Sequence, residues 1–326
     1  MRDLHARLRQ KGFDWPFVRS FVLPDWWEDE LADVEANRAL AEAYIAKQLG
    51  FRAVELRDRD RPLSFPPLAR VRFKRYKNEV DDRVRASALV GQRAAEAVVR
   101  AVGDHLPAFS ARWSAGQARD VILRESQYVD LESLLAFCWK VGIPVVQLEK
   151  IPGPGKRFDG MATFVGDRPV IVLASGRDGA PWLAFHVAHE LGHVLLEHVG
   201  PGKQALVDGK LDTEVGTSTH EREADRFACE VLTGFAKPRI QNLGATASRL
   251  AVTAARQGPK QGMDPGVFAL IYAKSNNRWP VAQNALKLLG SDTGGRSQVA
   301  RFLDERLRAA DLSETDERFL NVLKAA

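Results

Sequence analysis

Hydrophobic positions along the chain recur at two spacings, and the switch between them divides it. Residues 31–49 (LADVEANRALAEAYIAKQL) carry the helical three-to-four spacing and end at Gly50, a residue suited to the left-handed position after a helix. Just upstream, Pro24-Asp25-Trp26-Trp27 places two tryptophans side by side, which we expect to cap a core rather than to form a docking surface. Three prolines in residues 59–67 break any helix and mark a linker. An amphipathic, Ala- and Arg-rich helix is predicted over 81–102, followed by helices over 118–126 and 130–141, the last with Asp130 as N-cap. The pattern then turns β-like. A short strand is predicted at 143–148, and runs at 161–165 and 169–174 flank Gly166-Asp167-Arg168 as a hairpin. A helix over 181–199 follows, with Pro181 in its first turn. From residue 237 the helical spacing returns, with helices predicted at 239–256, 265–274, 281–289, 298–309 and 315–325. Helix, helix, strand, hairpin, helix is the order of an α+β domain with a small sheet. There is no internal repeat.

Composition narrows the class. The chain has 326 residues, 45% of them hydrophobic and 27% charged, which excludes wholesale disorder. No apolar run is long enough for a transmembrane helix. The charged start (Arg2, Asp3, Arg7, Arg9, Lys11) leads into no apolar stretch of a secretory signal. Cys138 and Cys229 lack CxxC spacing and sit in apolar surroundings, so they are expected as buried free thiols in a reducing, cytoplasmic setting. The net charge of +5 permits an acidic partner or nucleic acid without demanding either. Arg70-Val71-Arg72-Phe73-Lys74-Arg75-Tyr76-Lys77 interleaves cations with aromatics as a single-strand-binding groove does. One such patch is a weak signal, and a charged connection with Phe73 and Tyr76 packed inward is the favoured reading.

The chemistry concentrates elsewhere. Five of the seven histidines fall between positions 186 and 220. His189 and His193, four apart within AHELGHVLLEH, project from one helical face, where their ring nitrogens can reach one zinc ion at about 2.0–2.1 Å. Glu190 is placed beside them to exchange a proton with water and leaving group. A catalytic zinc takes a third protein ligand, and EREADRFACEVL offers it. Glu221 and Asp225 share a face: one can bind the metal while the other accepts the free N–H of a ligand histidine. Glu223 and His220 are rivals. Glu223 has Phe227 rather than an acid four residues on, so Glu221 is preferred.

These paired motifs resemble the ImmA/IrrE family of zinc metallo-endopeptidases, whose pattern HExGHxLLH is followed by ExEANxFAxxLLMP; the likeness covers roughly residues 115–235. The resemblance implies a small zincin-like (gluzincin-type) protease domain, one Zn(2+) per chain on His189, His193 and Glu221, and Glu190 as general base and acid. Asp225 replaces the family's usual Asn, and Thr233-Gly234-Phe235 replaces its Met-Pro ending. The expected organisation is an N-terminal helical region (1–62), a linker and connecting helix (63–112), the metallopeptidase domain (113–236) and a C-terminal helical region (237–326). His186 is expected to be structural, His198 and His220 are candidates for polarising the scissile carbonyl, and the loop-like stretch 203–219 could flank the cleft. Helix–turn–helix modules often accompany such proteases. Residues 249–271 could form one, but the second helix is too apolar for base contacts and core packing is preferred. The Pro-Asp-Trp-Trp segment and residues 31–49 loosely resemble N-terminal regions attached to such proteases in regulator-like proteins.

The resemblance thus implies an intracellular endopeptidase whose partner is a regulatory protein, a helix–turn–helix repressor, in a stress or mobile-element response. The alternative is a DNA-binding regulator or antitoxin-like module with the zincin fold as scaffold. An intact Glu190 favours the enzyme, since a purely structural site needs no base.

Overall fold

The computed structural model describes residues 2–65, 71–73, 82–109, 113–153, 157–201, 205–208, 219–242, 244, 246–307 and 313–320. Helices α1 (Arg2–Gln10), α2 (Trp15–Phe21), α3 (Glu35–Leu49) and α4 (Ala53–Arg57) build the N-terminal region. Gly50 sits in the left-handed region (φ 71°) where α3 ends. Phe13, Phe51 and Phe65 cluster there, with Phe13 edge-on to Phe51 at 5.9 Å. The adjacent tryptophans divide: Trp27 joins the core while Trp26 is 55% exposed.

Strand β1 (Val71–Phe73), α5 (Asp82–Val102), α6 (Ala115–Glu125), α7 (Leu131–Lys140), β2 (Val145–Gln147), β3 (Gly160–Val165), β4 (Arg168–Leu173), α8 (Ala180–Leu195), β5 (Ala205–Asp208) and α9 (Thr219–Thr233) follow. Both α6 and α7 open with reciprocal capping boxes, Ser114 with Gln117 and Asp130 with Ser133. The strands form one mixed sheet in the order β1-β5-β3-β4-β2. β3 and β4 are the expected hairpin, with Val165 opposite Arg168 and Gly166 at φ 60° in the turn. Two strands differ from expectation. Val71–Phe73, within the predicted linker, pairs parallel with β5, and Ala205–Asp208, within the predicted loop, pairs antiparallel with β3. Both are too short to show alternation, and their pairing depends on partners distant in sequence. The rest of the cation-rich segment 70–77, its side chains included, lies outside the described residues.

Alternation along β3 sets the layers. Met161 and Thr163 face α5, where Thr163 Oγ1 bonds Gln92 at 2.7 Å, whereas Gly160 faces Glu190 on α8. With a helix on each face, the central strands are buried on both sides, which explains why 169–174 is a continuous apolar run.

Helices α10 (Ala247–Gln257), α11 (Pro265–Asn276), α12 (Trp279–Leu288), α13 (Gly295–Asp304) and α14 (Glu314–Leu320) complete the chain. α10 starts eight residues later than predicted, where Thr246 caps the amide of Arg249. α11 is buried continuously from Gly266 to Ala273, so it has no face to lay in a DNA groove; the core-packing reading holds. Three devices tie this region to the sheet domain. Asp178 accepts from the amides of Gly294 and Arg296, Arg119 donates to the carbonyls of Val231, Gln261 and Gly262, and Trp182 stacks on Trp279. Among the described residues no helix is long and apolar enough to cross a membrane. Both cysteines are free and buried, and burial raises their thiol pKa values.

Candidate metal centre

Helix α8 is buried almost all round, its polar face included: His186, His189, Glu190 and His193 are each at most 2% exposed. Polar groups are held so deep only where they meet one another or a ligand. Helix α9 covers this face, and Gly192 lets it come close. A side chain at 192 would lie 3.2 Å from the backbone of Ala224 and from Phe227, tighter than ordinary contact. Phe227, Ala228, Val231 and Leu232 bury the facing side of α9. That approach carries Glu221, 4% exposed, to the two histidines.

His189, His193 and Glu221 each offer one ligand atom, and all three atoms lie within 4.8 Å of one another. The separations are 3.1 Å between the two Nε2 atoms, 3.3 Å from His189 Nε2 to Glu221 Oε2, and 3.5 Å from His193 Nε2 to Glu221 Oε1. Ligands on a tetrahedral zinc with bonds near 2.0–2.1 Å stand about 3.3 Å apart. The donor set therefore fits a single divalent ion with two imidazoles and one carboxylate. The cluster is geometrically suited to one Zn(2+) per chain.

The far side of each imidazole is also engaged. His189 Nδ1 lies 2.9 Å from Asp225 Oδ1, so its N–H donates to a carboxylate and its Nε2 lone pair faces the cluster. His193 Nδ1 lies 3.0 Å from His198 Nδ1, and His198 Nε2 lies 3.0 Å from Glu223 Oε2. Burial, then the neighbouring His193 and His220, lower the His198 pKa to about 4. A neutral His198 that donates from Nε2 to Glu223 accepts the N–H of His193 at Nδ1, which again turns a lone pair toward the cluster. His198 is delivered by the way α8 ends. Glu197 adopts φ 58°, and the amides of His198 and Glu197 bond the carbonyls of His193 and Val194, a Schellman closure that folds the chain back on its last turn.

The sequence candidates thus sort by position. Glu223, the rival ligand, turns to His198, and His220 stacks on the His198 ring at 4.3 Å, so neither joins the three-atom cluster. His186 lies 3.9 Å from Asp159 and is not one of the three residues of that cluster. Glu190 packs against the first residue of β3, where a methyl group on Gly160 would fall 2.5 Å from Oε1. The His198–Glu223 pair escaped the sequence reading, because 25 residues separate its members and only the Schellman turn brings them together.

Residues 138–234 match the family model of the IrrE N-terminal-like domain, a peptidase family. A search of curated proteins gives no match. The match spans both the helix that bears the two histidines and the helix that closes on them with Glu221, and on these grounds the chain carries an IrrE/ImmA-like, zinc-dependent peptidase domain.

Proposed function

We propose that the chain is an endopeptidase that cuts a regulatory protein, a helix–turn–helix repressor, in a stress or mobile-element response. In this reading His189, His193 and Glu221 hold the zinc and Glu190 is the proton-transfer group. The observation that carries it is three ligand atoms at tetrahedral spacing beside a buried carboxylate that is not one of them. Zinc bound there would acidify a water molecule and polarise a peptide carbonyl. Glu190 accepts a proton at its carboxylate and returns it to the departing amine. Asp225 on one side and His198 with Glu223 on the other fix the ring orientation of the two histidines, so neither has to be reoriented when the ion binds. The peptidase unit is assigned to residues 113–236. It is preceded by the helical region 1–62 and the connecting segment 63–112, and followed by the helical region 237–326.

Glu190→Gln keeps size and hydrogen bonding but cannot take the proton. It should fold, retain one zinc per chain and bind the cognate repressor without cutting it, at a rate loss on the order of 10²–10⁴. His189→Ala should lose the metal. A Glu190→Gln protein that supports the biological response as well as the unaltered one would instead make the chain a binding module.

A further inference from the structure

Beyond the metal cluster, on the outer side of α9, lies a groove of about 840 Å³. Five cations line it: Arg222 and Arg226 one turn apart on α9, Lys237 and Arg239 on the segment that leaves α9, and Lys274 on α11. All five are exposed, and among the described residues none of them is ion-paired with a carboxylate. Two carboxylates share the lining, but both are engaged with histidine rings: Asp225 with His189 and Glu223 with His198. The groove therefore keeps a formal excess of three positive charges, five cations against two carboxylates. Unpaired cations facing one concavity raise the local concentration of anions and give them charge-assisted hydrogen bonds.

The groove also adjoins the cluster. Asp225 forms part of its wall and touches His189 directly, and Lys274 lies 5.7 Å over the ring of Phe185, which itself packs 6.3 Å from the His189 ring. Asp225 meets His189 at Nδ1, so the width of one imidazole separates the groove from the ligand nitrogen Nε2.

We propose that this groove binds an acidic segment, Asp or Glu side chains, of the polypeptide substrate; this rests on the peptidase reading above. Nucleic acid fits less well. Among the described residues no aromatic ring lines the groove to stack a base. The spread of five cations over such a volume also exceeds what one small anion engages.

The test needs no turnover. A fluorescent peptide with clustered glutamates, and the same peptide with glutamines, are titrated into the zinc-loaded full chain and into the double variant Arg226→Gln/Arg239→Gln. Melting temperature and zinc content serve as controls. We expect the glutamate peptide to bind, to weaken roughly tenfold in the double variant and further with salt, and the glutamine peptide not to bind. Equal binding of both peptides, or of the glutamate peptide to both proteins, overturns the proposal. So does single-stranded DNA binding more tightly than the peptide through the same cations, or inorganic phosphate displacing the peptide at equal concentration. Because only binding is measured, a failure here leaves the Glu190→Gln test standing, and the reverse also holds.

Discussion

Gly160→Ala should disable the peptidase without touching its metal. The added methyl would lie 2.5 Å from Glu190 Oε1, 2.8 Å from Cγ and 2.9 Å from Cδ, where ordinary contact begins near 3.4 Å. Close to 1 Å of overlap must be relieved. The strand cannot readily retreat, because Gly160 is paired with Leu173 on one side and Asp208 on the other. Helix α8 is packed between the sheet and α9. The Glu190 side chain is what moves, by about 1 Å, and a displacement of that size at a reacting group costs about 10²-fold in rate. That is the lower end of the roughly 10²–10⁴ attributable to complete loss of the general base. The three atoms nearest the new methyl all belong to Glu190, so the ligand atoms of His189, His193 and Glu221 keep their places and zinc content should not change. Overpacking should lower stability by about 1–3 kcal/mol, which a melting curve separates from the rate effect. The assay is kcat/KM on the cognate protein, with zinc and melting temperature measured on the same samples. A double variant sharpens it. Glu190→Asp withdraws the carboxylate by one methylene and relieves the overlap, so Gly160→Ala should cost far less in that background than alone. Full activity in Gly160→Ala, or equal losses in the two backgrounds, would refute the placement of Glu190 as the proton-transfer group.

Other expectations test the supports around the site. His198→Ala and Asp225→Ala each remove the group that fixes one imidazole, and should weaken zinc about 10–100-fold in chelator competition while circular dichroism stays unchanged; undiminished affinity in both would show that the rings need no such support. Asp264 caps the amide of Val267, yet burial raises its pKa to about 6, above the ordinary 3.8. Its contribution to stability is thus complete below about pH 4 and is lost as pH rises through 6. Asp264→Asn keeps the cap without the charge, so it should raise the melting temperature at pH 8 more than at pH 4.5, and a pH-independent difference would contradict this. Arg119→Met strands the carbonyls of Val231, Gln261 and Gly262 and should cost about 2–4 kcal/mol in urea unfolding. A negligible shift would mean that this guanidinium does not hold α9 to the turn before α11.

What the sequence disclosed depended on how local the cause was. The HExxH helix could be read because its spacing and its apolar frame lie within four turns, and the hairpin because Gly166 and Asp167 mark a turn between two β-rich runs. Asp130 and Gly50 were legible as helix ends because capping is decided within a few residues. Strands β1 and β5 were not, because three or four residues carry no periodicity and pair only once the hairpin exists. The choice of Glu221 over Glu223 was approachable from spacing alone, yet its physical reason is tertiary. The Schellman turn at Glu197 swings His198 back to His193, and Glu223 is taken up there. The cationic groove was hidden for the same reason: its charges come from α9, the following segment and α11, and in the sequence they are five unremarkable members of a mildly basic chain. The same helix, α9, thus turns a carboxylate inward to the histidines and cations outward to the groove. Charge variants on its outer face should therefore alter which polypeptides are bound while leaving the metal cluster intact.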